Sequence, residues 1–168
     1  RLCRHFTTLG AFYRKVRQKL VRRGEFFQII SLPDQVLHSY WFYNLASGEP
    51  GISAENDPAH HFANEHPPLE RVFANLETSQ FAVRSWKLIR KPHFCIDSYY
   101  GDPSVVFNDE FRHCSSLFWI MQNRDLQGRY DEVARRRIDD GTAVEHRNRV
   151  EIIRKQIGIS IAISAEAV

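Results

Sequence analysis

The stretch IGISIAIS, residues 157–164, places an isoleucine at every second position with a small residue between. Successive side chains of a β-strand point to opposite faces of the sheet, so this period of two predicts a strand with one isoleucine face. Such a strand needs a neighbour, and two short apolar segments, 26–30 and 105–107, or a strand from a partner protein, are suitable. Residues 157–163 also fit an apolar extension of the preceding helix, and the sequence leaves both interpretations open.

Outside this stretch, hydrophobic periodicity predicts helices. They are expected at residues 8–23, 33–46, 68–91, 109–123, 125–138 and 142–156. Signals typical of helix starts occur at Pro33, Pro68, Asn108 and the T-x-x-E pair Thr142/Glu145. The predicted fold class is therefore mainly α: an irregular multi-helix single domain of five to six helices, with a short C-terminal β-strand as one of two readings.

Length and composition restrict the class of protein. At 168 residues and 19.7 kDa the chain fits one domain, 1–168, which would bury about two-thirds of its unfolded surface. A hydrophobic content of 43% with 26% charged residues is ordinary for a globular protein and excludes wholesale disorder. Three cysteines without a C-x-x-C pair exclude a disulfide scaffold or a four-cysteine zinc site. No apolar run approaches the length of about 18 residues that crosses a bilayer, so no transmembrane segment is predicted.

Charge is distributed unevenly along the chain. Residues 1–24 carry eight basic side chains and no acidic one, and because the whole chain has a net charge of +3, the remainder carries −5. The sequence thus predicts a basic amphipathic helical arm (1–24) attached to a mildly acidic helical body (25–168). Basic amphipathic helices bind anionic lipid, acidic protein surfaces or RNA phosphates, although a solvated helix face has the same pattern. The predicted lipid- or polyanion-binding residues are Arg14, Lys15, Arg17, Lys19, Arg22 and Arg23.

An aromatic stretch, Tyr40, Trp41, Phe42 and Tyr43, lies in the helix predicted over 33–46. Four consecutive aromatic residues on a helix point around its whole circumference, so a single core is not expected to bury them all. Exposed apolar surface marks interfaces, and Tyr and Trp dominate interface hot spots. These four residues are the predicted partner interface, with burial inside one compact domain as the alternative.

Motifs for catalysis are mostly missing from the sequence: there is no glycine-rich phosphate loop, no G-x-S-x-G and no H-E-x-x-H. The one suggestive cluster is His60, His61 and His66, since imidazole is a common metal ligand. His61 and His66 are five residues apart, which departs from the i, i+4 spacing of a helical two-histidine site. We therefore predict no enzyme activity and no cofactor, and keep a metal-binding or enzymatic protein using this histidine segment, which is predicted to be a loop, as a third hypothesis.

The favoured function is that of a non-catalytic accessory or structural subunit of a large mitochondrial membrane assembly, a respiratory chain or ATP synthase complex. Its expected partners are other subunits and anionic lipid or an acidic neighbour facing the basic arm. The acid-free, arginine-rich start resembles in composition a mitochondrial transit peptide and its surroundings, which predicts the matrix or the matrix face of the inner membrane. A cytosolic protein with a trimmed start is the alternative location. The alternative function is a mitochondrial ribosomal protein with its arm on rRNA.

Overall fold

The computed structural model describes residues 9–53, 55–90, 101–123 and 125–168. Over these residues the chain is mostly helical and contains a three-stranded antiparallel sheet. The helices are α1 (Leu9–Lys19), α2 (Pro33–Ser39), α3 (Pro58–Asn64), α4 (Leu69–Thr78), α5 (Asp109–Cys114), α6 (Ser116–Asn123), α7 (Gln127–Asp139) and α8 (Thr142–Ile157), with a 3-10 helix at Pro103–Phe107. The strands are β1 (Glu25–Ile30), β2 (Phe81–Ile89) and β3 (Ser160–Ala167). The mainly helical fold class is confirmed, but the segment predicted as a helical body contains the whole sheet.

Residues 160–164 of the alternating isoleucine stretch lie in β3, the central strand of the sheet, whose order is β1-β3-β2. Ile157, the first residue of the stretch, ends α8, and β3 continues beyond the stretch to Ala167. The predicted pairing with residues 26–30 is confirmed, and Phe26 lies opposite Ala165 in the antiparallel register. The alternative of a helical extension is wrong, because Gly158, with a φ of 73°, ends α8 and redirects the chain. Residues 105–107 are part of the 3-10 helix and supply no strand.

The second half of the helix predicted over 68–91 is wrong. Helix α4 ends at Thr78, the chain reverses at Ser79 and Gln80, and β2 starts at Phe81. Gln80 has a φ of 63°, a conformation in which a reversal is normally marked by glycine. Backbone groups that a continued helix would have bonded within itself are bonded to β3, so tertiary pairing overrides the helical pattern here.

Three further helices are shorter than predicted. Helix α1 stops at Lys19 instead of 23, and α2 stops at Ser39 instead of 46. The helix predicted over 109–123 is divided at Ser115, which has an extended backbone with a ψ of 122° between α5 and α6. Apolar periodicity continued across each of these ends, so it did not indicate where the helices stop.

Capping signals were correct at one helix start and wrong at another. The Asn108 side chain accepts a hydrogen bond from the backbone N–H of Phe111 at 3.0 Å, as predicted for an N-cap. Thr142 is not the cap of α8 but its first residue, after Gly141 with a φ of 80°. Its hydroxyl and backbone N–H both donate to Asp140 Oδ1, so the predicted capping box does not form.

The buried apolar side chains form two clusters. The sheet cluster lies between the inner face of the sheet and helices α1 and α4, and contains Leu9, Tyr13, Val72, Leu76, Phe81, Ile161, Ile163, Ala165 and Ala167. The helical cluster combines the aromatic stretch with the 3-10 helix and α5 to α8. Between them, Gln35 Nε2 donates to the Ile157 carbonyl at 2.9 Å, which attaches α2 to the α8–β3 junction.

Candidate functional site

The outer face of the sheet, which points away from α1 and α4, exposes apolar side chains on β1. Burial alternates along this strand, with Phe26 and Ile30 packed against the sheet cluster. Phe27 and Ile29 point the other way and are 63% and 54% exposed. The solvated face of an antiparallel sheet normally carries polar residues, so these two side chains form an exposed apolar patch where polar ones are expected.

The strands beside the apolar patch (Phe27 and Ile29) present small or charged residues on the same face. Ser164 of β3 lies opposite Phe27, and Ala162 lies opposite Ile29. On the far side of Ala162, Lys87 of β2 is exposed. The patch is therefore flanked by small side chains on β3 and by basic charge on β2.

The six basic residues predicted to bind polyanions fall into three groups. Arg14, Lys15 and Lys19 are exposed on α1. Arg17 is half-buried, and its guanidinium donates to the carbonyls of Leu20 at 3.3 Å and Val168 at 2.7 Å. The bond to Val168 attaches the end of α1 to the chain just after β3, so Arg17 contributes to the packing of the fold. Arg22 and Arg23 lie outside the helix, in the turn that leads into β1.

Arg22 and Arg23 line a cleft of about 350 Å³ together with Arg84, Glu166, Ala167 and Val168. The turn is fixed to β3, because the Arg23 backbone N–H donates to the Ala167 carbonyl at 2.7 Å. Arg84 is held by Glu166, whose Oε2 accepts from Nη2 at 2.7 Å and from Nε at 3.0 Å. We call this site the arginine cleft.

The aromatic stretch does not form the predicted helix, and its four side chains are divided between two that are buried and two that are half-buried. It lies in turns after α2, where Trp41 is fully buried and Phe42 is 2% exposed. Phe42 packs edge-on against Phe111 and is stacked with Phe118 in the helical cluster. Tyr40 and Tyr43 are half-buried, and a partner interface remains a prediction for these two alone. Turns direct successive side chains inward where a helix would have spread them around its axis.

The histidine segment is helical rather than a loop, but it does not gather its three imidazoles. His60 and His61 lie on α3, and His66 follows it. His60 Nδ1 lies 2.8 Å from Asp57 Oδ2, and His61 Nε2 lies 3.5 Å from Glu65 Oε1. Among the residues that the structure describes, no group of three or more His, Cys, Asp or Glu side chains is placed to hold a metal ion. His93, Cys95 and Cys3 lie outside these residues, and Cys114 is an exposed free thiol.

Among the histidines that the structure describes, two have a pKa lowered by burial. Burial lowers the pKa of His66, although the Phe62 carbonyl at 3.0 Å from its Nδ1 favours the charged form. Burial also lowers the pKa of His146, whose Nε2 lies 3.0 Å from the Trp41 carbonyl and 2.9 Å from Asn44 Oδ1. The neutral His146 ring thus holds the turn of the aromatic stretch against α8.

None of the helices in the described part of the chain is both long enough and apolar enough to cross a bilayer. Comparison of the chain with protein-family models, with curated proteins and with solved structures finds no match. The interpretation of the sheet face and of the arginine cleft therefore depends on their geometry and charge.

Sequence reasoning missed Phe27, Ile29, Arg84 and Glu166. Phe27 and Ile29 lay in the short apolar segment 26–30, which was only one of several possible neighbours for the C-terminal strand, so their common direction was not visible. Arg84 was assigned to the long helix over 68–91, which gave it no relation to β3. One signal was available: the alternation of β3 placed Glu166 on the face opposite its isoleucines.

Proposed function

We propose that this protein is a non-catalytic accessory subunit of a larger assembly, which it joins through the outer face of its sheet. The exposure of Phe27 and Ile29 is the observation that carries the proposal. Removing apolar surface from water contributes about 25 cal/mol per Å². A partner that covers both side chains therefore gains from them directly, with no rearrangement of the described backbone.

The basic residues around this face support a partner of opposite charge. Lys87 borders the apolar patch on β2, and the arginine cleft lies at the end of the sheet where β1 begins. Arg14, Lys15 and Lys19 are exposed on α1, which packs against the opposite face of the sheet, and they do not contribute charge to this face. Apolar side chains flanked by basic ones are typical of surfaces that contact anionic lipid headgroups or acidic proteins.

In its specific form, the proposal assigns the chain to a mitochondrial membrane assembly, a respiratory chain or ATP synthase complex, at the matrix face of the inner membrane. The supports are the composition of residues 1–24 and the basic charge described above. The apolar patch favours this assignment over a mitochondrial ribosomal protein, because rRNA offers phosphates and unstacked bases but no aliphatic surface to cover Ile29.

The test is to express the tagged chain in cells, solubilise their mitochondrial membranes in mild detergent, and follow the chain by size-exclusion chromatography and mass spectrometry, with and without RNase. Co-migration with a membrane complex that RNase leaves intact is expected. A particle that collapses with RNase would transfer the assignment to the ribosome, and a free peak near the chain's own 19.7 kDa would contradict both.

A matched pair of variants tests the docking face itself. Phe27→Ser/Ile29→Thr removes the apolar patch, while Trp119→Ser/Ile152→Thr removes two apolar side chains of similar exposure, 57% and 60%, from α6 and α8. Loss of co-migration in the first variant alone is expected. Equal retention of both variants in the complex would refute docking through the sheet.

A further inference from the structure

We propose that the arginine cleft is a binding site for a phosphate dianion, in which Arg22, Arg23 and Arg84 hold the phosphate oxygens. The inference deepens the proposed function, on which it rests for the assignment of an anionic partner to the basic residues. Its test is independent of complex formation, so either can fail alone.

The three guanidinium groups come from two separate segments of the chain. Arg22 and Arg23 are contributed by the α1–β1 turn and Arg84 by the irregularity in β2, where the register shifts between Val83 and Ser85. A β-bulge re-aims a side chain, and here the extra residue reaches Glu166 of β3 on the outer face. Convergence of arginines on one cleft is therefore a product of the folded sheet and not of the sequence of the arm.

Charge in the cleft matches a dianion. The side chains of its lining include three arginines and one carboxylate, Glu166, which gives a net side-chain charge of +2. Within the described residues no carboxylate is paired with Arg22 or Arg23, whereas Arg84 uses only Nε and Nη2 on Glu166. The Nη1 group of Arg84 keeps its donors for a ligand. Glu166 thus fixes the orientation of Arg84 and leaves some of its N–H donors available.

Geometry favours phosphate over a carboxylate. Arginine presents a planar fork of donors that suits two oxygens of a phosphate or carboxylate, but a carboxylate has only two oxygens and one charge. A terminal phosphate has three oxygens, enough for one contact with each arginine. The volume of about 350 Å³ is at the lower end of the range of small-molecule sites, roughly 300–1,000 Å³, and leaves space for the group that the phosphate esterifies.

The backbone at the cleft is already arranged. Arg23 has a φ of 65°, a left-handed conformation that costs an arginine energy. It is maintained by two bonds to β3: Arg23 N–H to the Ala167 carbonyl at 2.7 Å, and Ala167 N–H to the Gly24 carbonyl at 2.9 Å. A ligand that binds here has no turn to order, which lowers the cost of binding.

Glu25 is an opposing charge beside the lining, next to Glu166. It is exposed and lies directly opposite Glu166 in the register of β1 and β3. Its carboxylate lowers the positive potential at the mouth of the cleft. Replacing it with glutamine leaves every lining residue in place and is expected to strengthen binding of an anion.

The test is an NMR titration of the full chain with inorganic phosphate, using chloride to keep the ionic strength constant. Saturable shifts of the amides of residues 22–24 and 166–168 are expected. Arg22→Ala and Arg84→Ala should each weaken binding about fivefold, the size of one exposed charge-assisted contact. Lys15→Ala removes the same charge from α1 and serves as the matched control, with no expected change. Equal weakening by all three variants, or shifts that do not saturate, would overturn the site.

Arg84→Ala also breaks the ion pair with Glu166, so this variant changes the packing at β3 as well as the contact with phosphate. Glu25→Gln leaves that ion pair intact and changes only the charge beside the cleft, and its phosphate affinity should rise. An unchanged or lower affinity would contradict the charge argument. Two vesicle preparations then distinguish the sources of the phosphate group: phosphatidylcholine with phosphatidic acid, and phosphatidylcholine with phosphatidylserine at matched charge. Preference for phosphatidic acid that Arg22→Ala abolishes identifies a lipid headgroup. Phosphate binding without that preference identifies a free phosphate ester.

Discussion

Gly158 connects the two halves of the molecule, and its replacement by alanine gives a quantitative test of the α8–β3 junction. Its backbone has a φ of 73° and a ψ of 178°, a region that essentially only glycine occupies. An added Cβ would lie 2.9 Å from the Ile89 carbonyl oxygen and 3.4 Å from Leu88 Cβ. That carbonyl already accepts a hydrogen bond from Ile159 N–H at 2.8 Å, so it cannot move away without weakening the start of the sheet.

The expected loss of stability in Gly158→Ala is the sum of backbone strain and a lost hydrogen bond. Backbone strain of this kind costs about 1–3 kcal/mol, and a lost hydrogen bond about 1 kcal/mol more. Gly158→Ala should therefore lower the free energy of unfolding by about 2–4 kcal/mol, a large part of the roughly 5–15 kcal/mol that stabilises a domain.

Two other glycines supply controls. Gly141 also has a positive φ, 80°, but its ψ of −6° is ordinary left-handed helix and a Cβ would meet nothing within 4 Å. Gly141→Ala should cost about 1–2 kcal/mol, the cost of that conformation alone. Gly128 lies exposed in α7 with open space around it, so Gly128→Ala should stabilise by about 0.5–1 kcal/mol. Urea unfolding followed by circular dichroism measures all three. If Gly158→Ala cost no more than Gly141→Ala, the close approach to β2 would be refuted.

Three further substitutions address the core and the turns. The Tyr130 hydroxyl donates to the Phe42 carbonyl at 2.9 Å in a fully buried position, so Tyr130→Phe should lower the free energy of unfolding by about 1 kcal/mol in urea titration; no loss would mean that the carbonyl has another partner. Burial lowers the pKa of His146 below its value in the unfolded chain, so stability is retained above pH 6.5 and declines as the pH falls below it. His146→Gln should flatten that decline between pH 7 and 5, with His66 retaining the same trend, and an unchanged slope would contradict the effect of burial. Arg23→Gly removes a left-handed arginine and should stabilise by about 1 kcal/mol while phosphate binding weakens; thermal unfolding checks the first and the NMR titration the second.

Local sequence signals indicated β3 as one of two interpretations and predicted the existence of most helices. The period of two over 157–164 stands out because β-branched and small residues alternate without interruption. Asn108 and Pro33 marked helix starts correctly, since capping and proline preferences are set within a few residues of the chain.

Strand β2 was not predictable because its stability comes from β3, about 80 residues further along the chain. Val83 and Trp86 continue the helical phase of Leu69, Val72 and Leu76, and the reversal at Gln80 has neither glycine nor proline. Periodicity alone therefore joined a helix and a strand into one element.

Only part of the candidate site could be predicted, because the rest depends on the same long-range strand pairing. Arg22 and Arg23 could be selected from local charge, but Arg84 and Glu166 join them only when β2 is paired with β3. The aromatic stretch shows the opposite case, in which the local pattern predicted a partner interface and the folded chain buries part of it. Its interface prediction depended on a helix that ends at Ser39, and the turns that follow bury Trp41 and Phe42.

The central position of β3 also determines the order in which the chain can fold during synthesis. Residue 25 pairs with residue 166, and residue 89 pairs with residue 160. Neither β1 nor β2 therefore has its partner strand until most of the chain has left the ribosome. Such non-local pairing makes folding slow, and the two unpaired strands present their apolar residues to other chains in the meantime. A nascent chain with this topology therefore keeps aggregation-prone strands exposed for as long as it takes to translate the segment between its first strand and its last.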